Sequence, residues 1–208
     1  KVAFLFHHYS GQTVGSSRSD IQYCVGKWGR RDGIFRDGSR GNRPWVYFHD
    51  SYRVPASDWA TLLTRDGSAS IRGSSIDAVV IGLYYRHPSA RDHLVTSGFD
   101  GVATYFASDG FTEGSRTSMW GDIGEFCRSN GLAFVPAVAP GYDDLKIRPW
   151  NKLWRRERGQ GGYYAKMWNA ATSANADAVV VNSYNDWNRG TQIEPAAAGA
   201  RDGFSSYS

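Results

Sequence analysis

The stretch DAVVIGLYYRHPSARDHLVTSGFDGVATYF, residues 77–106, decides the fold. It holds two short apolar runs, Ala78–Leu83 and Gly101–Phe106. Between them Pro88–Ser97 reads as a short helix stopped by Gly98. Apolar runs that lack polar alternation are the pattern of strands covered on both faces. Strand, helix, strand in that order is the unit of a parallel sheet.

Working outward, four further runs read as strands: Val2–Phe6, Trp45–His49, Leu132–Val138 and Ala178–Ser183. Helical spacing separates most of them. Ile21, Cys24, Val25 and Trp28 fall at i, i+3, i+4, i+7. Ser57 is the expected cap of a helix whose inner face is Trp59, Leu62 and Leu63. Trp120, Ile123 and Cys127 mark a helix ending near Asn130 and Gly131, and Tyr164, Met167, Trp168 and Ala171 mark another.

Two closures of such a sheet compete. A doubly wound sheet usually carries a Gly-rich phosphate turn, and neither GxGxxG nor a P-loop occurs here. A (β/α)8 barrel needs eight strands and typically about 250 residues. The expected fold class is therefore α/β, a (β/α)8 TIM-type barrel with about six strands in this chain. The chain starts inside the run KVAFLF and ends in FSSYS without a helix signal. Residues 1–208 are accordingly read as a single barrel domain truncated at both ends. The loop from Gly29 to Arg43 is rich in Gly, Arg and Asp and reads as flexible or as part of a rim.

Composition narrows the function. The 208 residues are 41% hydrophobic and 21% charged, which places the chain among folded rather than disordered proteins. Eight Trp, twelve Tyr and ten Phe are many for this length, and aromatics line sugar and peptide sites as well as cores. The net charge of +4 is spread among both signs. The basic run Lys152–Arg158 reads as a solvated loop or helix start, so nucleic acid is not expected. No run is long and apolar enough for a membrane span. Cys24 and Cys127 show no CxxC spacing and read as two buried thiols, with a long-range disulfide left open. His7 and His8 are tandem on a strand, so only one faces the barrel. No metal and no cofactor is expected.

In a barrel the site sits at the carboxyl ends of the strands. Those ends supply His7, His8 and Tyr9, then His49, Asp50, Ser51 and Tyr52, then Tyr84, Tyr85 and Arg86. They continue with Tyr105, Phe106 and Asp109, then Tyr142, Asp143, Asp144, Arg148 and Trp150. The last strand adds Tyr184, Asn185, Asp186, Trp187 and Arg189. A polar and aromatic rim suits a ligand with hydroxyls and apolar faces, and a carbohydrate is the natural candidate.

Several blocks occur in a telling order. They are KVAF…YS at the start, DSY at 50–52, GFDGVATYFASDGFTEGS at 98–115, PAVAPGYDDLKIRPWN at 136–151 and SYNDWNRGTQIEPA at 183–196. With these blocks the chain resembles the later part of glycoside hydrolase family 99, the endo-acting α-mannosidases, over nearly its whole length. The resemblance implies a (β/α)8 barrel, a mannose-containing glycan or glycoprotein as partner, and no metal in the chemistry. It also implies the Golgi lumen of the secretory pathway, or the extracellular space. Family members retain anomeric configuration. One carboxylate deprotonates the sugar 2-hydroxyl, and a second carboxylic acid protonates the leaving oxygen and then activates water.

The resemblance carries sugar contacts onto Tyr105 and Arg148, with Tyr52, Tyr142 and Trp150 beside them; His7, Tyr9, His49, Asp50 and Asn185 complete the expected carbohydrate site. The chemistry does not carry over so well. The family motif N-E-W-x-E-G-T-Q-I-E puts its two catalytic Glu residues on Asp186 and Arg189 here. A further acidic residue of the family falls on His7, and a family Tyr falls on His49. Asp186 is one methylene short of Glu, and Arg189 cannot donate a proton near neutral pH. An Asp186–Arg189 ion pair is the expected structural outcome, with Glu194 supporting the loop. Two readings stay open: an impaired hydrolase that binds glycans or serves as a subunit of an assembly, and an active retaining endo-α-mannosidase.

Overall fold

The computed structural model describes residues 1–86 and 89–195. Pro88, the expected start of one helix, and the FSSYS end lie outside the described residues. All six apolar runs become strands. β1 (Phe4–Phe6), β3 (Arg43–Phe48), β4 (Val79–Leu83), β5 (Gly101–Ala103) and β6 (Ala133–Val135) pair in that order, every pair parallel. β7 (Ala137–Val138) continues β6 after Pro136 and pairs in parallel with β8 (Val180–Val181). β2 (Arg36–Asp37) pairs antiparallel with the start of β3. It gives the Gly29–Arg43 loop an ordered place at the amino-terminal edge of the sheet.

An α-helix lies on the way from β1 to β2, β3 to β4, β4 to β5, β5 to β6 and β7 to β8: α1 (Val14–Trp28), α2 (Ala56–Leu63), α3 (Ser89–Ser97), α4 (Trp120–Ser129) and α5 (Gly162–Ser173) in turn. This is the arrangement of a (β/α)8 barrel opened along one side. Alternation along the strands builds two apolar layers. Val46, Phe48, Val80, Val102 and Phe134 meet Ile21, Trp59, Leu62, Leu94, Ile123 and Met167 of the helices. Trp45, Val79, Ile81, Ala103, Ala133 and Val135 form the opposite, concave layer. Leu5, out of step with Phe4 and Phe6, is 51% exposed.

Several local expectations are corrected. Helix α2 starts one residue before Ser57, with Pro55 as its cap residue. The Ser57 hydroxyl reaches Asp58 instead of the helix backbone. The run Leu132–Val138 is two strands, because Pro136 has no N–H for the ladder. Strand pairing in Gly101–Phe106 stops at Ala103, which frees Tyr105 and Phe106 for the rim. Both cysteines are free thiols, and Cys24 is only partly buried. Burial pushes the Cys127 thiol up to about 12, with Asp177 adding to the effect. Trp168 lies on the outer side of α5, 37% exposed, while Met167 and Ala171 face the core.

A charge network that sequence periodicity did not reveal locks the amino-terminal ends of the central strands. Arg43 reaches Asp77 and Asp100, each at 3.2 Å. Arg72 reaches the same two carboxylates at 3.2 and 2.8 Å. Arg72 also donates to the carbonyls of Leu63, Ala78 and Gly98. Asp100 accepts the backbone N–H of Val80 at 2.8 Å. Burial by itself would raise the Asp77 carboxyl, but the Gly73 N–H and the two guanidinium groups outweigh it and hold it low. Removing one partner strands the others in a half-buried setting. Asp100→Ala is expected to destabilise the fold by about 3 kcal/mol in urea unfolding. A loss below about 1 kcal/mol would show that the network is solvated and inessential.

Candidate functional site

The carboxyl-terminal ends of the strands converge on a cleft of about 530 Å³. Of the expected residues, His7, His49, Asp50, Tyr52, Tyr105, Tyr142, Arg148, Trp150 and Arg189 line it. His7 and His8 lie just past the end of β1 rather than on the strand, and one of them takes part. His7 opens into the cleft, while His8 hydrogen-bonds Gln12 at 2.7 Å. Asp50 holds a left-handed backbone, φ 55°, where β3 turns into the short helix Ser51–Arg53. That turn points Tyr52 across to Tyr85, whose ring stacks on it at 4.9 Å.

An aromatic and cationic row crosses the floor of the cleft. The His7 and His49 rings lie 5.1 Å apart, and His49 meets the edge of Tyr105 at 4.2 Å. Arg189 Nη1 donates to the Tyr105 hydroxyl at 3.3 Å. On its other side, Arg189 Nε lies 3.4 Å from the Asp186 carboxylate. Asp186 also caps the short helix Trp187–Arg189 by accepting the backbone N–H of Arg189. Glu194 accepts the Trp187 indole N–H at 2.9 Å, which braces the same turn. Asp186 is thus a loop-forming residue, and it is not among the residues that line the cleft.

The carboxylates around the cleft are engaged. Asp50 contacts Arg53 at 3.2 Å and His49 at 3.4 Å. Asp144 is buried and receives Tyr142, Asn151 and Arg148 on one oxygen, at 2.8, 2.9 and 3.1 Å. Burial alone would raise the Asp144 carboxyl, but those three donors outweigh it and keep it below the ordinary range. It is an ionised anchor for Arg148. Asp143 turns away to Arg155 at 2.9 Å. Burial, with the Asp144 contact second, pushes the Tyr142 hydroxyl up to about 12.

Other expectations fall outside the cleft. Tyr9 is 41% exposed and donates to Asp20 on α1. Asn185 stands on the outer part of the last loop, away from the lining. Tyr84, a strand-end residue, is 1% exposed and belongs to the core. Asp109 binds Lys166 and Thr117 instead of facing the rim. The site adds Tyr85, Phe106, Phe111, Asn151, Asn182 and Thr191. Position at a strand end signalled Tyr85 and Phe106; nothing in the sequence marked Asn182 or Phe111, whose tilted ring lies 4.6 Å from that of Phe106.

His49 gives the cleft a pH signature. Burial lowers its pKa; Asp50 opposes this, while His7, Arg189 and Arg53 add to it. The folded state therefore resists protonation that the unfolded chain accepts below about 6.5. Stability is complete above that value and falls with pH until the lowered folded value is passed. His49→Phe is expected to flatten the decline in unfolding midpoint between about pH 6.5 and 5. An unchanged slope in the variant would assign the decline to other groups.

Residues 1–207 match the family model described as glycosyl hydrolase family 99. The chain is 41% identical over 198 residues to a glycoprotein endo-alpha-1,2-mannosidase-like protein of Danio rerio, covering 94% of this chain and 45% of that protein. It is 39% identical to a glycoprotein endo-alpha-1,2-mannosidase of Mus musculus, covering 94% of this chain and 43% of that one. Among solved structures, a GH99 endo-alpha-mannosidase from Bacteroides thetaiotaomicron superposes with a TM-score of 0.93 at 34% identity. That match covers all of this chain and 60% of the other. A glycoside hydrolase-like protein at 16% identity and a TM-score of 0.67 shares the fold. The chain spans less than half the length of the two curated relatives.

Proposed function

The chain belongs to glycosyl hydrolase family 99, and from that premise we propose that it binds mannose-containing glycans while its hydrolytic chemistry is impaired. One observation carries the reading. The position of the family's proton donor is Arg189, and its guanidinium bridges Tyr105 and Asp186. Burial alone would lower the Arg189 pKa, but Tyr105, Asp186 and Tyr142 outweigh it and raise it further. Such a group stays charged and donates no proton. Loss of general acid catalysis alone costs about 10²–10⁴-fold. The residue at the base position is tied into its own turn and paired with Arg189. Glycoside hydrolysis ordinarily uses two positioned carboxyl groups.

The features that suit a sugar are kept. Tyr52, Tyr85, Phe106 and Trp150 present ring faces, and Arg148, Asn151, Asn182 and Thr191 present polar atoms around the same cleft. Trp150 is 76% exposed at the cleft edge, where an apolar sugar face can stack. A purely structural role as a subunit of an assembly would leave the cleft without a ligand. A retained endo-α-mannosidase activity would need a new proton donor. His49 faces the cleft with its Nε2 atom unpartnered among the described residues. Its lowered pKa leaves it neutral near pH 7, which works against that role. By the same resemblance we place the protein in the secretory pathway or outside the cell. Among the described residues no helix is long and apolar enough to cross a membrane.

Binding and turnover are to be measured on one preparation with an α-1,2-linked mannose oligosaccharide. Calorimetry is expected to show binding without released product. Asp186→Glu combined with Arg189→Glu is expected to raise turnover at least about 100-fold over the unaltered protein. Turnover by the unaltered protein at about 1 s⁻¹ or faster would overturn the reading. Absence of any binding would favour the structural role.

A further inference from the structure

A second cleft, of about 680 Å³, shares Tyr142 with the first. Three segments wall it: 142–147 after β7, 155–160 before α5, and 188–192 after the Asp186 turn. They are tied together by backbone bonds between Tyr142 and Arg156, at 2.9 and 2.7 Å, and from Asp143 to Arg189, at 2.8 Å. Four cationic side chains, Lys146, Arg155, Arg156 and Arg158, line the cleft with two carboxylates, Asp143 and Glu157. Arg155 takes both carboxylates, at 2.9 and 3.4 Å.

Arg156 and Arg158 are left with no carboxylate among the described residues. Arg156 donates to the carbonyls of Leu153, Arg155 and Asp109. Arg158 donates to those of Gly190 and Gln192, at 3.1 and 2.8 Å, both from Nη2. A guanidinium has five N–H groups, so stapling the 188–192 loop leaves the Nε and Nη1 donors of Arg158 unused among the described residues. Burial lowers the Arg158 pKa, as expected of a cation removed from water without a full counter-charge.

Gln192 supplies a second, independent sign. It is 6% exposed and lines the cleft, yet its Oε1 has no partner among the described residues. A buried amide oxygen left unpaired is costly. Helix α5 opens beside this wall behind Gly159 and Gln160, with no side-chain cap and no acid in its first turn. Its macrodipole adds positive potential at the same place.

We propose that this second cleft binds a phosphate group, as the inorganic ion or as a monoester, with Arg158 as principal ligand, Lys146 at the edge and the Gln192 amide oxygen accepting the hydrogen of a P–O–H or of a neighbouring sugar hydroxyl. The anion has two sources of the same chemistry. It is either a free ion or a substituent on a glycan that crosses Tyr142 from the first cleft. The second source rests on the sugar-binding reading.

Inorganic phosphate is titrated at constant ionic strength against chloride, following the NMR signals of the Gln192 side-chain amide and the Gly159 N–H. Phosphate is expected to move both signals to saturation and chloride is not. Arg158→Ala is expected to weaken binding at least tenfold. Because that change also loosens the loop, the exposed Lys146→Glu is tested beside it, with an expected weakening of about tenfold. Equal response to chloride, or full phosphate affinity in the folded Lys146→Glu variant, would overturn the proposal. Methyl α-mannoside 6-phosphate separates the sources. Tighter binding than phosphate, with movement at both Tyr142 and His49, assigns the glycan substituent; equal affinity assigns the free ion. Methyl α-mannoside reads the first cleft alone, so failure there is distinguishable from failure here.

Discussion

The parallel hydrogen-bonded ladder from β1 to β8 is the constraint on which the rest depends. Because every pairing along it is parallel, all carboxyl ends share one rim and all amino ends share the other. Residues separated by more than a hundred positions, such as His7 and Arg189, therefore reach one cleft. The opposite rim receives the Arg43–Asp77–Arg72–Asp100 network. Charges on that rim satisfy one another and tie three strand starts together. Charges on the site rim are arranged around an opening. One polarity of the strands thus divides stability from recognition.

Within the site, charges are paired locally. A retaining glycosidase holds one carboxyl group protonated and another ionised, each free to act. Here the acidic side chains are consumed by structure. Asp144 anchors Arg148, Tyr142 and Asn151; Asp50 holds Arg53; Asp186 caps a turn and meets Arg189. What faces the cleft is mostly aromatic, amide, imidazole and guanidinium, with Asp50 beside them. Among the described residues that line the cleft, the one carboxylate, Asp50, is held by Arg53 and His49. The same Asp186–Arg189 turn is braced from the second cleft, since Asp143 and Arg158 bind its carbonyls.

Much of this was legible in the sequence. The six apolar runs all became strands, because uninterrupted Val, Ile and Phe leave a strand no face that tolerates water. The strand-end rule placed His7, His49, Tyr105, Tyr142 and Arg148 on one rim before any contact was known. It failed at Tyr84, which is packed into the core with Gly114 against its backbone, and at Tyr9, which meets Asp20. The helix start at Ala56 in place of a Ser57 cap shows the same limit: local preference yields to where Pro55 directs the chain.

The sequence by itself determined the order of strands and helices, the family blocks and the presence of Arg189 within the last of them. These are local or one-dimensional facts, written in periodicity and identity. Only the tertiary structure decided which carboxylate each cation takes, since Coulomb and hydrogen-bond partners are set by distance in space. Arg148 went to Asp144 although Asp143 and Asp186 were equally plausible along the chain. Among the described residues Arg156 and Arg158 meet carbonyls alone although Glu157 sits between them in sequence, and Arg155 holds that carboxylate. Pairing of charges is a three-dimensional assignment, and the chain order carries too little of it.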